Sequence, residues 1–190
     1  MKIASIVEGF GEVEAVPTLI RRFAHLNGRY DVVAPRSFRV PRDRLLRAGV
    51  LERVVQQAAN EAGPDGRIFI LIDADDDCPA TIGPLLLARA MQARPDRVSR
   101  VVLAKSELES WFLAAAASLR GVHFLPRDLE APPDPESIRG AKEWLSTKMN
   151  GTYRPTVDQT AFAAQFDLAQ ARAAPSFDKC YRELTRLLAD

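Results

Sequence analysis

Cysteine and histidine are nearly missing from this sequence, with two of each in 190 residues: Cys78, Cys180, His25 and His123. No CxxC pair and no Cys/His spacing occurs, which excludes a structural zinc, a disulfide framework and a triad built on histidine. Long apolar runs are missing too. The Leu, Val, Ile and Ala runs break too often to span a bilayer, and the first, Ile3–Val7, is far too short for a secretory leader. A cytoplasmic protein with no membrane contact is therefore expected. Charge of one sign is also lacking. Lys and Arg number 26 against 25 Asp and Glu, so the net charge is +1. That excludes a globally basic nucleic-acid binder but leaves room for a local basic patch.

What is present suits a globular chain, 47% hydrophobic and 27% charged, without repeats or low-complexity tracts. Its length fits one domain that buries roughly two-thirds of its unfolded surface around a single core. Residues 2–7 read as a strand, and Val13, Val16, Leu19, Ile20 and Phe23 then recur at helical spacing. Proline is comfortable in the first turn of a helix, so Pro17 places the start between Glu14 and Pro17 and leaves residues 8–13 as loop. Residues 30–33 read as a second strand and 45–62 as a second helix, closed by Gly63-Pro64-Asp65-Gly66. The run RIFILID, Arg67–Asp73, has the continuous apolar character of a parallel strand buried on both faces. A helix from Pro79 to Ala93, a strand over 100–104 and a helix over 106–119 follow. Strands alternating with helices imply a mostly parallel sheet sandwiched by helices. Residues 125–135 form a proline-rich loop or lid, and the last helix lies near 177–188.

The first strand ends in Glu8-Gly9-Phe10-Gly11-Glu12-Val13-Glu14. Glycine-rich turns of this kind usually cradle phosphate, yet three glutamates repel it. The dinucleotide fingerprint fails because Glu14 stands at the third glycine position, and no GK[ST] supports a P-loop. In an open parallel sheet, ligands bind beyond the carboxyl ends of the strands, where Glu8 and Asp73 both fall, with Asp75 two residues on. If the first and third strands are neighbours, these acids crowd one crevice with Glu12 opposite, and crowded carboxylates need a cation. Oxygen-only donors favour Mg²⁺ or Mn²⁺. A calcium loop is excluded, since Cys78 stands where Gly is needed and Pro84 where the bidentate Glu belongs.

Ser106 and Glu109, ahead of Trp111, Phe112 and Leu113, form either a capping box or part of the site. Lys105 beside them is a candidate phosphate contact. Arg36, Arg39, Arg42, Arg44 and Arg47 fall within twelve residues around Phe38. They read either as a nucleic-acid backbone patch with Phe38 stacking on a base, or as a solvated loop. Arg94, Arg97 and Arg100 could extend it, as could Lys142, Lys148, Tyr153 and Arg154.

Together, VEG…E after the first strand, DxD after the third and SxxE before a later helix resemble the Toprim fold of topoisomerases, primases, recombination-repair proteins and overcoming-lysogenisation-defect nucleases. The closer likeness is to a Toprim-like family of uncharacterised bacterial proteins, and it covers residues 1–119 best. The resemblance implies a Rossmann-like Toprim core over residues 1–120 with a helical C-terminal extension over 121–190, in one domain. It implies Glu8 as general acid/base or metal ligand and Asp73 with Asp75 as the Mg²⁺ pair. Glu12 and Glu109 would serve a second metal, with Lys105 among the catalytic groups. It further implies a metal-dependent nuclease, with DNA favoured over RNA and room for a partner protein such as an ATPase. Two alternatives stay open: a non-catalytic module that binds nucleic acid or a partner, and a small phosphohydrolase or receiver-like domain.

Overall fold

A computed structural model describes residues 1–189. Strand β1 (Ile3–Val7) lies between β2 (Phe38–Arg39) and β3 (Arg67–Asp73), and β4 (Ser99–Ala104) forms the far edge. Every pairing in this order, β2-β1-β3-β4, is parallel. The helices are α1 (Glu12–Leu26), the short α2 (Arg42–Leu45), α3 (Val50–Ala62), α4 (Pro79–Ala93), the short α5 (Ser110–Ala114), α6 (Ala141–Lys148), α7 (Thr160–Gln165) and α8 (Pro175–Ala189).

Alternation along each strand sorts side chains onto two covered faces. Ala4, Ile6, Ile68, Ile70, Ile72, Val101 and Leu103 pack against Leu51, Val55 and Ala58 of α3 and Leu86 of α4. Ile3, Val7, Phe69, Leu71 and Val102 pack against α1, α5, α7 and α8. Residues 121–189 thus share one core with the strands: Phe177 of α8 lies 5.1 Å from Trp111 and 6.2 Å from Phe23, ring centre to ring centre. The chain leaves β1 through α1 toward β2, then returns across the other face to β3. The crevice between the carboxyl ends of β1 and β3 is therefore the topological switch point of the sheet.

Five local expectations are corrected. Helix α1 starts at Glu12, so Pro17 sits inside it. Its missing N–H frees the Val13 carbonyl, which instead accepts the Ser37 N–H at 3.3 Å, so the proline is tolerated without an orphaned group. The second strand is not residues 30–33. Val33 makes only an isolated bridge to Lys2, and β2 forms later, after Pro35 interrupts the edge. The helix expected over 45–62 starts at Val50, after Gly49 in the left-handed region at φ 78°. The helix expected over 106–119 shrinks to α5 and one 3₁₀ turn, Ala116–Leu119. The capping box does not form: Ser106 has φ 59°, and Glu109 heads α5 with no side-chain cap.

Candidate active site

The switch point gathers carboxyl groups from five places in the chain. Glu8 follows β1 and is half-buried, with Oε2 buried and accepting no hydrogen bond. Burial, then repulsion from Asp75, pushes its pKa up to about 7. Glu12 opens α1 and folds back over the turn, where Oε2 accepts the N–H groups of Glu8 at 3.1 Å and Gly9 at 3.2 Å. Burial raises its pKa to about 7, against the pull of those bonds.

Asp73 ends β3. Its Oδ1 accepts the Leu108 N–H at 2.8 Å, which ties the β3 end to the segment after β4. Burial, then Glu12, Glu109 and Glu8, raise its pKa well above the carboxylate range. Asp75 is exposed at φ 50°, and its N–H donates to the carbonyl of Ser106 at 3.2 Å. Two non-glycine residues with positive φ thus face each other at the site, where backbone strain commonly collects. Glu109 is fully buried. Its Oε1 accepts from the Tyr153 hydroxyl at 2.9 Å and Gln159 Nε2 at 3.2 Å, while Oε2 accepts no hydrogen bond.

The cation inside this cluster is Lys142, the second residue of α6. Its Nζ lies 2.9 Å from Glu107 Oε1, 3.5 Å from Glu109 Oε2 and 3.9 Å from Asp73 Oδ2. Burial works against its charge, yet Glu109, Asp73 and Glu107 together hold its pKa above the usual range. Arg42 closes the outer side. Its guanidinium donates to the carbonyls of Asp73 at 3.1 Å and Ala74 at 3.4 Å, pairs with Asp77 and stands 3.7 Å from Asp75.

The two glycines of the opening turn leave room for close neighbours of the site. A Cβ on Gly9 would stand 2.8 Å from Glu12 Oε1, and one on Gly11 would meet Gln159 Oε1 at 2.2 Å and the Pro155 carbonyl oxygen at 2.6 Å. Gly11 itself is right-handed helical at φ −66°, so close approach rather than backbone freedom requires glycine there.

Among the residues singled out from sequence, Glu8, Glu12, Asp73, Asp75 and Glu109 converge. Lys105 does not join them. It is exposed and lines a separate cavity of about 580 Å³ with Lys179, Leu103 and Ser176. The arginines disperse: Arg36 pairs with Glu14 at 3.0 Å, Arg47 with Asp43 at 3.2 Å, and Arg42 is built into the site. Arg44 is exposed. Phe38, expected to stack on a base, packs on the core beneath α3, whereas Phe10 is 67% exposed with the Arg39 guanidinium 3.5 Å above its ring. Glu107 and Gln159 were missed, and Lys142 and Tyr153 were singled out only as outlying phosphate contacts. One signal existed: a lysine in the first turn of a helix opposes the macrodipole, so Lys142 needs a carboxylate partner from elsewhere.

The donors are all oxygen, which suits a hard cation, and two buried carboxylate oxygens still lack a hydrogen-bond partner. Among the described residues, no three Asp, Glu, His or Cys side chains stand close enough to hold an ion as they are. Three of the acids, Asp73, Glu107 and Glu109, instead surround the Lys142 ammonium within 4 Å. No helix among the described residues is long and apolar enough to cross a membrane. No curated protein and no solved structure matches the chain. One family model does, over residues 7–185, described as "Domain of unknown function (DUF4276)".

Proposed function

We propose that this chain, which belongs to the DUF4276 family, cleaves nucleic-acid phosphodiesters with Mg²⁺ or Mn²⁺. The observation that carries this reading is the convergence of Glu8, Glu12, Asp73 and Glu109 at the switch point, with pKa values raised by burial and crowding. Glu8, Asp73 and Asp75 would hold one ion, with Glu12 and Glu109 placed for a second. Such a pair supplies an activated water and a Lewis acid for the leaving oxygen.

The side chains divide the remaining work. Glu8, half-exposed and titrating near 7, is suited to moving a proton at neutral pH. Arg42 holds the Asp73–Ala74 backbone and so fixes where Asp75 and Asp77 project. Phe10 and Arg39 offer an exposed ring and a cation beside the turn that bears Glu8, an arrangement that suits an unpaired base and its phosphate.

One observation favours a second reading. Lys142 already neutralises part of the cluster, as a non-catalytic nucleic-acid or partner-binding module would require. The two readings separate in a cleavage assay on plasmid and single-stranded DNA and RNA with Mg²⁺ or Mn²⁺. Wild type is expected to cut, and Glu8→Gln and Asp73→Asn to lose cutting while keeping a cooperative melt. No cutting by wild type, or equal cutting by all three, removes the nuclease reading.

A further inference from the structure

Lys142 reaches the acidic cluster from a strap that crosses the carboxyl ends of β3 and β4. The strap, residues 134–140, ends at Gly140, whose φ of 74° lies in the left-handed region, and α6 follows at once. Two ties outside the cluster hold it: the Ser176 N–H donates to Glu136 Oε1 at 2.9 Å, and Arg139 pairs with Asp76 at 2.6 Å. The Arg139 pair is exposed on both sides, 81% and 77%, a setting in which ion pairs hold weakly. A cavity of about 380 Å³ lies against the strap beside the acids, lined by Asp75, Asp76, Ser106, Glu107, Arg139 and Gly140. The cavity gives the long Lys142 side chain, in the first turn of the core-anchored α6, somewhere to go.

Within the cluster the ammonium shares Asp73 and Glu109 with the ion sites proposed above. It lies within 4 Å of acids from the end of β3 and from both sides of the turn into α5, and the Glu109 oxygen nearest to it accepts no hydrogen bond from any group. A monovalent, tethered cation leaves the cluster under-neutralised. A divalent ion offers twice the charge and can be gripped by several carboxylates at once, whereas Lys142 donates a close hydrogen bond only to Glu107.

We propose that Lys142 is a resident counter-ion that a divalent cation displaces, so that the cluster alternates between a lysine-filled and a metal-filled state. This rests on the metal-binding part of the function proposed above. The lysine keeps the acids apart and the site assembled without metal, and it sets a threshold of metal concentration for filling.

Titration calorimetry with Mn²⁺ on the full chain tests this directly. Lys142→Met, which removes the competing charge, is expected to bind Mn²⁺ more tightly by on the order of tenfold, the scale of one partly buried ion pair. Lys142→Arg keeps the charge and is expected to retain the parent affinity. Wild type supplies a second readout that needs no variant. Amine acylation followed by mass spectrometry should find Lys142, 35% exposed but ion-paired, modified slowly without metal and faster with saturating Mg²⁺, with exposed Lys105 and Lys148 as unchanged references. If Mn²⁺ binds wild type but Lys142→Met binds equally or less tightly, or metal leaves the labelling of Lys142 unchanged, the displacement idea is wrong while the metal site stands. If neither protein binds Mn²⁺, both fail. If both bind with the expected difference and neither cleaves nucleic acid, the counter-ion role stands and the nuclease reading falls.

Discussion

The Glu12 carboxylate rests on Gly9, taking its N–H at 3.2 Å and leaving no room for a Cβ, which would come within 2.8 Å of Glu12 Oε1. The turn that resembles a phosphate cradle is thus filled by its own glutamate. Gly9→Ala should push aside only the end of a side chain, so we expect a melting temperature close to wild type with weakened metal binding. Gly11→Ala meets the Pro155 backbone as well, and overpacking of that kind costs about 1–3 kcal/mol. Thermal melts and Mn²⁺ titrations on the pair check the contrast. Equal destabilisation by both would refute it.

Stability of the metal-free protein should fall as pH rises from 4.5 to 7. Glu8 and Glu12 hold protons up to about 7 in the fold, against 4.5 for the ordinary carboxyl. Between those values the folded chain keeps protons that the unfolded chain has released, so this contribution is complete below 4.5 and is lost through 7. Asp31, Asp96 and Asp178 are held below the usual value of 3.8 by their arginine partners, so their opposite effect lies at lower pH. Scanning fluorimetry across this range should show the decline, with a shallower slope for Glu12→Gln and for wild type in Mg²⁺. A slope that Glu12→Gln leaves unchanged would count against the assignment.

Removing residues 121–190 should abolish folding, because α7 and α8 cover one face of the sheet. Phe177, buried among Phe23, Trp111 and Phe166, tests the same point more gently. Phe177→Ala is expected to cost about 3–5 kcal/mol in denaturant unfolding. A stable, cooperatively melting fragment ending at residue 120 would contradict this account.

The two cysteines should differ sharply toward alkylating reagents. Cys78 is exposed at the head of α4, where the Thr81 side chain and the N–H groups of Ala80 and Thr81 lower its pKa; Cys180 is buried, which raises its own. Mass spectrometry after iodoacetamide should find Cys78 modified in the native protein and Cys180 only after denaturation. Native modification of Cys180 would show that α8 opens readily.

The strand-end acids were legible because their signal is local. An apolar run that stops at Asp73, and another that stops before Glu8, places both at carboxyl ends of strands, and parallel order brings those ends together. The edge strand was misplaced because Val33 and Phe38 are equally strand-like, and only pairing with β1 decides between them. Ser106 and Glu109 matched a capping box in sequence, but Asp73 takes the Leu108 N–H and Tyr153 and Gln159 take Glu109. Lys142 lies 35 positions from Glu107, and Tyr153 and Gln159 lie 44 and 50 from Glu109. Sequence by itself determined the alternating strands and helices and the oxygen-rich chemistry of the crevice, because hydrophobic period and residue type are local properties. Which cation sits among those acids was decided only in three dimensions, because charge acts through space and the strap that delivers Lys142 carries no local mark of where it lands.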